Sequence, residues 1–155
     1  MIINKLESII SQEKSIIFSE FNEKTALKLG LKIIENANNL GGVSIQIKKN
    51  DLLMFYYAME NTAIDNETWC QRKANVVKRF NHSSLYMKEK YLQRNCQFNE
   101  YLHLNPNIYQ AKGGGIPLIV KNCGVVGTIA VSGLTEEKDH ELVIKSIIEI
   151  IKEEK

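Results

Sequence analysis

Hydrophobic positions along the chain change period several times, and each change marks an element. Within Asn4 to Ser15, Leu6, Ile9 and Ile10 fall on one side of a short helix, and Ile16-Ile17-Phe18 then reads as a short apolar strand. Asn22 offers a helix cap with Glu23 in the first turn, which suits the helix dipole. Leu27, Leu31 and Ile34 recur at helical spacing, Ala26, Ile33 and Ala37 widen the stripe, and Asn38 to Gly42 stops it. Val43, Ile45 and Ile47 alternate with Ser44, Gln46 and Lys48, the signature of a half-buried strand. After the turn signal Asn50-Asp51, Leu52 to Met59 predicts a second strand, so the two form an antiparallel hairpin.

Asp65 and Asn66 are cap candidates for a long helix from about Glu67 to Tyr91, with Trp69, Val76, Val77, Phe80 and Ser84 at helical spacing. Gln97 to Tyr109 is irregular around Pro106. Pro117 to Lys121 and Val125 to Val131 predict a second hairpin, turning at Asn122-Cys123-Gly124. Thr135 caps the last helix, with Glu136 and Glu137 in its first turn and Val143, Ile144, Ile147, Ile148 and Ile151 as its apolar face. The order α-β-α-β-β-α-β-β-α has two hairpins and few parallel crossovers. It predicts an α+β domain with a mainly antiparallel sheet and helices packed on it. A doubly wound parallel sheet would need a helix between nearly all strands.

The 155 residues suit one domain, residues 1–155, and the 44% apolar and 25% charged content argues against intrinsic disorder. No apolar run reaches membrane-spanning length and the first residues do not read as a secretory signal. Cys70, Cys96 and Cys123 are an odd, widely spaced set, neither a disulfide framework nor a metal motif. A reduced, cytoplasmic protein is the expectation. The formal charge is only +2, yet Cys70 to Arg94 holds Arg72, Lys73, Lys78, Arg79, Lys88, Lys90 and Arg94 against the single acid Glu89. Such a segment could attract an anionic ligand or an acidic partner. Nucleic acid is disfavoured, because no binding module or aromatic stacking platform accompanies the charge.

Gly113-Gly114-Gly115 before Pro117 is the sharpest local feature. Without Cβ atoms the backbone can take positive φ, and its amides can face an anion. No Gly-Lys-Ser/Thr follows, and a strand rather than a helix comes next, so it is not a P-loop. Trp69 and Lys73 share a helix face at i and i+4, and Arg79 and Ser83 do so beside them. An indole with nearby cations and a hydroxyl suits a flat ligand bearing negative groups. His82, His103 and His140 have no metal-ligand spacing, and adjacent Asp139 and His140 point apart on a helix. Ser132-Gly133 lacks the nucleophile-elbow pattern.

Gly113-Gly114-Gly115-Ile116-Pro117-Leu118, Gly127 to Leu134 and Asp139-His140 together resemble the haem-degrading-domain superfamily. That group includes haem-binding sensor proteins and glycolate-operon G-like proteins. Trp69, Lys73, Arg79-Phe80 and Ser83-Ser84 are similar to a narrower, UPF-class branch of cytoplasmic proteins. The resemblance spans about Phe21 to Ile151. It implies a profilin-like fold with a five-stranded sheet, homo-oligomers, and haem as the cofactor to test. Many members carry His just before the glycine run, where this chain has Lys112.

The leading expectation is an oligomeric protein that binds a small anionic ligand. Trp69 would pack on the ligand, Lys73 and Arg79 would hold its charge, and Ser83 would add a hydroxyl. The amides of Gly113, Gly114 and Gly115 would line the floor. One alternative is haem binding or degradation through His82 or His103. Another is a protein–protein adaptor that uses Arg72, Lys78 and Lys88. No nucleophile and base with credible geometry identify a reaction.

Overall fold

A computed structural model describes residues 4–154. Helix α1 (Lys5–Ser15) starts at Asn4, whose side chain accepts from the Leu6 amide. The short strand β1 (Ile17–Phe18) leads to α2 (Glu23–Ala37). Asn22 caps α2 as expected, accepting from the Lys24 and Thr25 amides while the Thr25 hydroxyl accepts from the Asn22 amide. Strands β2 (Ser44–Lys49) and β3 (Leu52–Ala58) follow. Their turn residues Asn50 and Asp51 both have positive φ, 49° and 68°, which matches the twist of a tight hairpin.

The expected long helix is two helices. α3 (Ile64–Phe80) ends at Asn81 in the left-handed conformation (φ 60°), and α4 (Ser84–Leu92) begins after a new cap, Ser83. Asn tolerates that conformation and Ser is a good N-cap, so Asn81-His82-Ser83 ends one helix and starts another. The N-cap of α3 is Ala63. Asn66 reaches back to accept from its amide at 2.9 Å, so neither Asp65 nor Asn66 is the cap itself. A short α5 (Phe98–Leu102) lies within the segment expected to be irregular. Strands β4 (Gly115–Val120) and β5 (Gly124–Ser132) and helix α6 (Glu136–Glu153) complete the fold, with Thr135 capping α6.

The five strands form one sheet in the order β1-β4-β5-β2-β3. All pairs are antiparallel except β1 with β4. This is the α+β architecture expected, with a parallel strand at one edge. The main core lies on one face, where Ile45, Ile47, Ile129 and Val131 meet Leu29 and Ile33 of α2 and Val143 and Ile147 of α6. Each such side chain withdrawn from water contributes roughly 1.5–3 kcal/mol.

The other face departs from expectation. Ser44, Gln46 and Lys48 read as solvent-facing, but α3 lies across them, leaving Ser44 fully buried and Gln46 5% exposed. The packing there is by small residues: Cys70, Ala74 and Ala130 form a separate cluster. This polar underside of α3 supplies the functional features described next.

Candidate functional site

Helix α3 crosses β5 and brings Lys73 against the glycine run and the start of α6. The Lys73 ammonium donates to the Val131 carbonyl at 2.9 Å and to Asp139 Oδ2 at 3.1 Å. Both side chains are almost completely buried, at 4% and 2% exposure. Asp139 Oδ1 accepts from the Leu134 amide at 3.0 Å. Burial pushes the Asp139 carboxyl above its ordinary range, and the Lys73 charge opposes that rise.

The glycines are required by this close approach. Gly114 has φ +126°, and a Cβ there would sit 2.8 Å from Lys73 Nζ and 2.6 Å from the Val131 carbonyl oxygen. A Cβ on Gly113 would strike the Glu136 carbonyl at 2.2 Å, and one on Gly115 would meet Ser84 Oγ at 3.0 Å. All three are buried. The Gly115 amide donates to Ser84 Oγ at 2.9 Å, and the Gly113 amide hydrogen-bonds the Glu136 carboxylate. Those two amides therefore turn inward, onto groups of the protein.

An open groove of about 350 Å³ lies over this pair. Trp69 and Lys73 of α3, Lys112, the Ser132–Leu134 turn, and Glu136 and Asp139 of α6 line it, with Asp65 and Asn66 at the end of α3. Trp69 is half-buried and carries the Arg72 guanidinium 5.3 Å from its ring centre. Glu136 accepts from Lys88 at 2.6 Å and lies 3.7 Å from Lys112. Burial acts to raise the Glu136 carboxyl, but Lys88 and Lys112 outweigh it and hold the group below its ordinary range. Lys112 is the more exposed cation at the mouth.

The structure thus brings together Trp69, Lys73 and Gly114. It does not bring Arg79 or Ser83 to them. Arg79 is exposed and lies over the rings of Phe80 and Tyr109, because it falls on the α3 face that meets the Asn105–Tyr109 segment. Ser83 lies outside both helices and is fully buried, with its hydroxyl accepting from the Tyr86 amide. Asp139, Glu136 and Ser132 belong to the groove, and sequence spacing could not pair Lys73 with a carboxylate in a different helix. The histidines lie elsewhere. His82 bonds Glu13 at 2.8 Å and stacks on Tyr86. His103 is exposed at the end of α5. His140 is buried against Gln12 at 2.7 Å.

The cations expected to serve an adaptor are partly committed. Lys78 pairs with Asp51 at 2.8 Å and Lys88 with Glu136, while Arg72 donates to the Asn107 carbonyl. No helix among the described residues is long and apolar enough to cross a membrane. No cluster of three or more metal-ligating side chains occurs among the described residues.

Several known proteins are similar to this chain. A UPF0303 protein of Psychromonas ingrahamii is 39% identical over 150 residues, covering 95% of this chain and 93% of its own. A UPF0303 protein of Lactiplantibacillus plantarum is 37% identical over 144 residues, covering 92% of each chain. Among solved structures, the Ybr137w protein superposes with a TM-score of 0.88 at 28% identity, over 96% of this chain and 88% of that one. A PduOC:Heme complex superposes with a TM-score of 0.68 at 17% identity, over 84% and 94%, a likeness of fold alone. Residues 21–148 match the family model described as "Haem degrading protein HbpS-like", and the chain belongs to that family.

Proposed function

We propose that the chain binds a small, flat ligand with one anionic group in the groove beside Trp69. The observation that carries this reading is the buried Lys73–Asp139 pair at the groove floor. Burying two charges costs several kcal/mol per ion before their attraction is counted, so such a pair is a poor device for stability alone. A carboxyl raised by burial, with a specific charge partner and in a cleft, has the character of a functional site. Trp69 supplies a flat face, Lys112 a cation at the mouth, and Lys73 the inner cation. Asp65, Glu136 and Asp139 stand against Lys73, Lys112, Lys88 and the Arg72 guanidinium over Trp69, a surplus of one positive charge that limits the site to a ligand with a single anionic group.

Trp69 is the chain's single Trp, so its fluorescence reports on this groove alone. Native mass spectrometry of protein purified without added ligand is expected to show a retained small molecule. Its removal should change Trp69 emission, and Trp69→Ala protein should retain none. Protein with no retained molecule, or one retained equally by Trp69→Ala, refutes the reading.

Self-association belongs to the same proposal. Leu27 and Leu31 on α2 and Leu52 and Tyr57 on the edge strand β3 are each about half exposed or more. An edge strand with no charged residue invites pairing with a second copy. Light scattering should give a mass above that of one chain.

Haem is the second reading, and the family membership favours it. No residue lining the groove is His, Cys, Met or Tyr, so these residues do not fit a haem held by those axial ligands there. Binding through His82 or His103 would place haem outside the groove. A haemin titration should give a Soret shift that His103→Ala or His82→Ala removes.

A further inference from the structure

We propose that the cavity under the second half of α3 is a separate ligand site, for a small molecule with one carboxylate on a flat apolar body. The cavity measures about 440 Å³ and shares no lining residue with the Trp69 groove. That volume lies within the range of small-molecule sites, about 300–1,000 Å³. It opens between α3 and the β2–β5 surface, with Ala74, Val125 and Val126 as its apolar walls.

The polar side is built around Lys48. This residue is half-buried, and its ammonium donates to the neutral Gln71 Oε1 at 2.8 Å. No carboxylate lies within ion-pair distance of it among the described residues. Gln71 is itself fixed, accepting from Gln46 at 3.1 Å and donating to Asn75 at 2.8 Å. At the inner end of this chain Gln46 is 5% exposed, and its Oε1 has no hydrogen-bond partner. The amides therefore hold Lys48 in place without neutralising it.

In the adjoining β2–β3 turn Asp51 is already paired with Lys78, both exposed, and Asp51 also feels the Lys48 charge. The cavity thus carries a net charge of one positive unit, from two lysines and one aspartate. A single carboxylate matches that balance, whereas a dianionic phosphate would oppose Asp51. A half-buried ammonium facing a carboxylate forms a charge-assisted hydrogen bond, roughly twice as strong as a neutral one.

Benzoate is the probe, with benzamide as its uncharged isostere, followed by backbone amide shifts in heteronuclear NMR. Benzoate is expected to move the amides of Lys48, Asn75, Gly127 and Thr128 saturably. It should bind about ten-fold more tightly than benzamide, the weight of one charge-assisted contact. Lys48→Met should erase the preference, while Trp69→Ala leaves it intact. Equal binding of the two probes by the natural chain overturns the proposal, as do shifts confined to Trp69 and Lys112 or no saturable shifts at all. The probe comparison decides the matter even if Lys48→Met fails to fold. Loss of the Trp69 groove's ligand would leave these shifts unchanged.

Discussion

Lys73 Nζ and Asp139 Oδ2 lie 3.1 Å apart beneath the surface, joining the middle of α3 to the first turn of α6. Removing either partner leaves the other charge buried and uncompensated. Lys73→Met or Asp139→Asn should each destabilise by roughly 3–5 kcal/mol. The double variant should cost much less than the two losses added together. Urea unfolding of all four proteins checks this, and additive losses would show that the pair is not coupled.

The glycines allow a paired comparison. Gly114→Ala forces a Cβ into Lys73 and the Val131 carbonyl at a backbone angle that L residues avoid. Strain and overpacking together should cost about 3 kcal/mol. Gly124→Ala also suffers an unfavourable φ, +84°, but its Cβ would meet nothing within 4 Å. It should lose only about 1 kcal/mol. Similar melting temperatures for the two variants would contradict the packing account.

His140 sets a pH dependence. Burial holds its imidazole down to about 4, with the Lys5 charge adding to the effect. The unfolded chain takes up a proton near the ordinary 6.5, while the folded chain resists until about 4. His140 therefore withdraws stability as pH falls from about 6.5 towards 4, by roughly 3 kcal/mol over the window. Denaturant unfolding between pH 7 and pH 4 should show this slope. His140→Gln, which keeps a hydrogen-bonding group for Gln12, should flatten it.

Ser83 separates a structural role from a ligand role. Its hydroxyl caps α4, and its amide donates to Glu13 Oε1 at 2.8 Å, tying α1 to the break between α3 and α4. Ser83→Ala should lower stability by about 1 kcal/mol. Trp69 emission and ligand retention should stay unchanged. A loss of retained ligand at unchanged stability would return Ser83 to the binding site.

Much of the chain was legible because its signals are local. The caps Asn22 and Thr135, the Asn50-Asp51 turn and the apolar stripe of α6 each depend on residues within one or two turns. These features determined the elements and the α+β class. The α2 stripe, in contrast, is offset from the expected one: Ala26, Leu29, Ile33 and Ala37 are buried while Leu27 and Leu31 are about half exposed. The break at Asn81 was also local, but Phe80 and Ser84 preserve helical spacing across it and hide the cap between them.

Tertiary packing decided the rest. Alternation shows that Ser44, Gln46 and Lys48 share one face of β2, but not whether water or a helix covers it. α3 covers it, turning an apparent solvent face into the wall of a cavity. Trp69 and Lys73 could be placed together from their spacing, since four residues make one helical turn. Asp139 could become the partner of Lys73 only when two helices converged on β5, and no periodicity encodes a contact between segments so far apart in the chain.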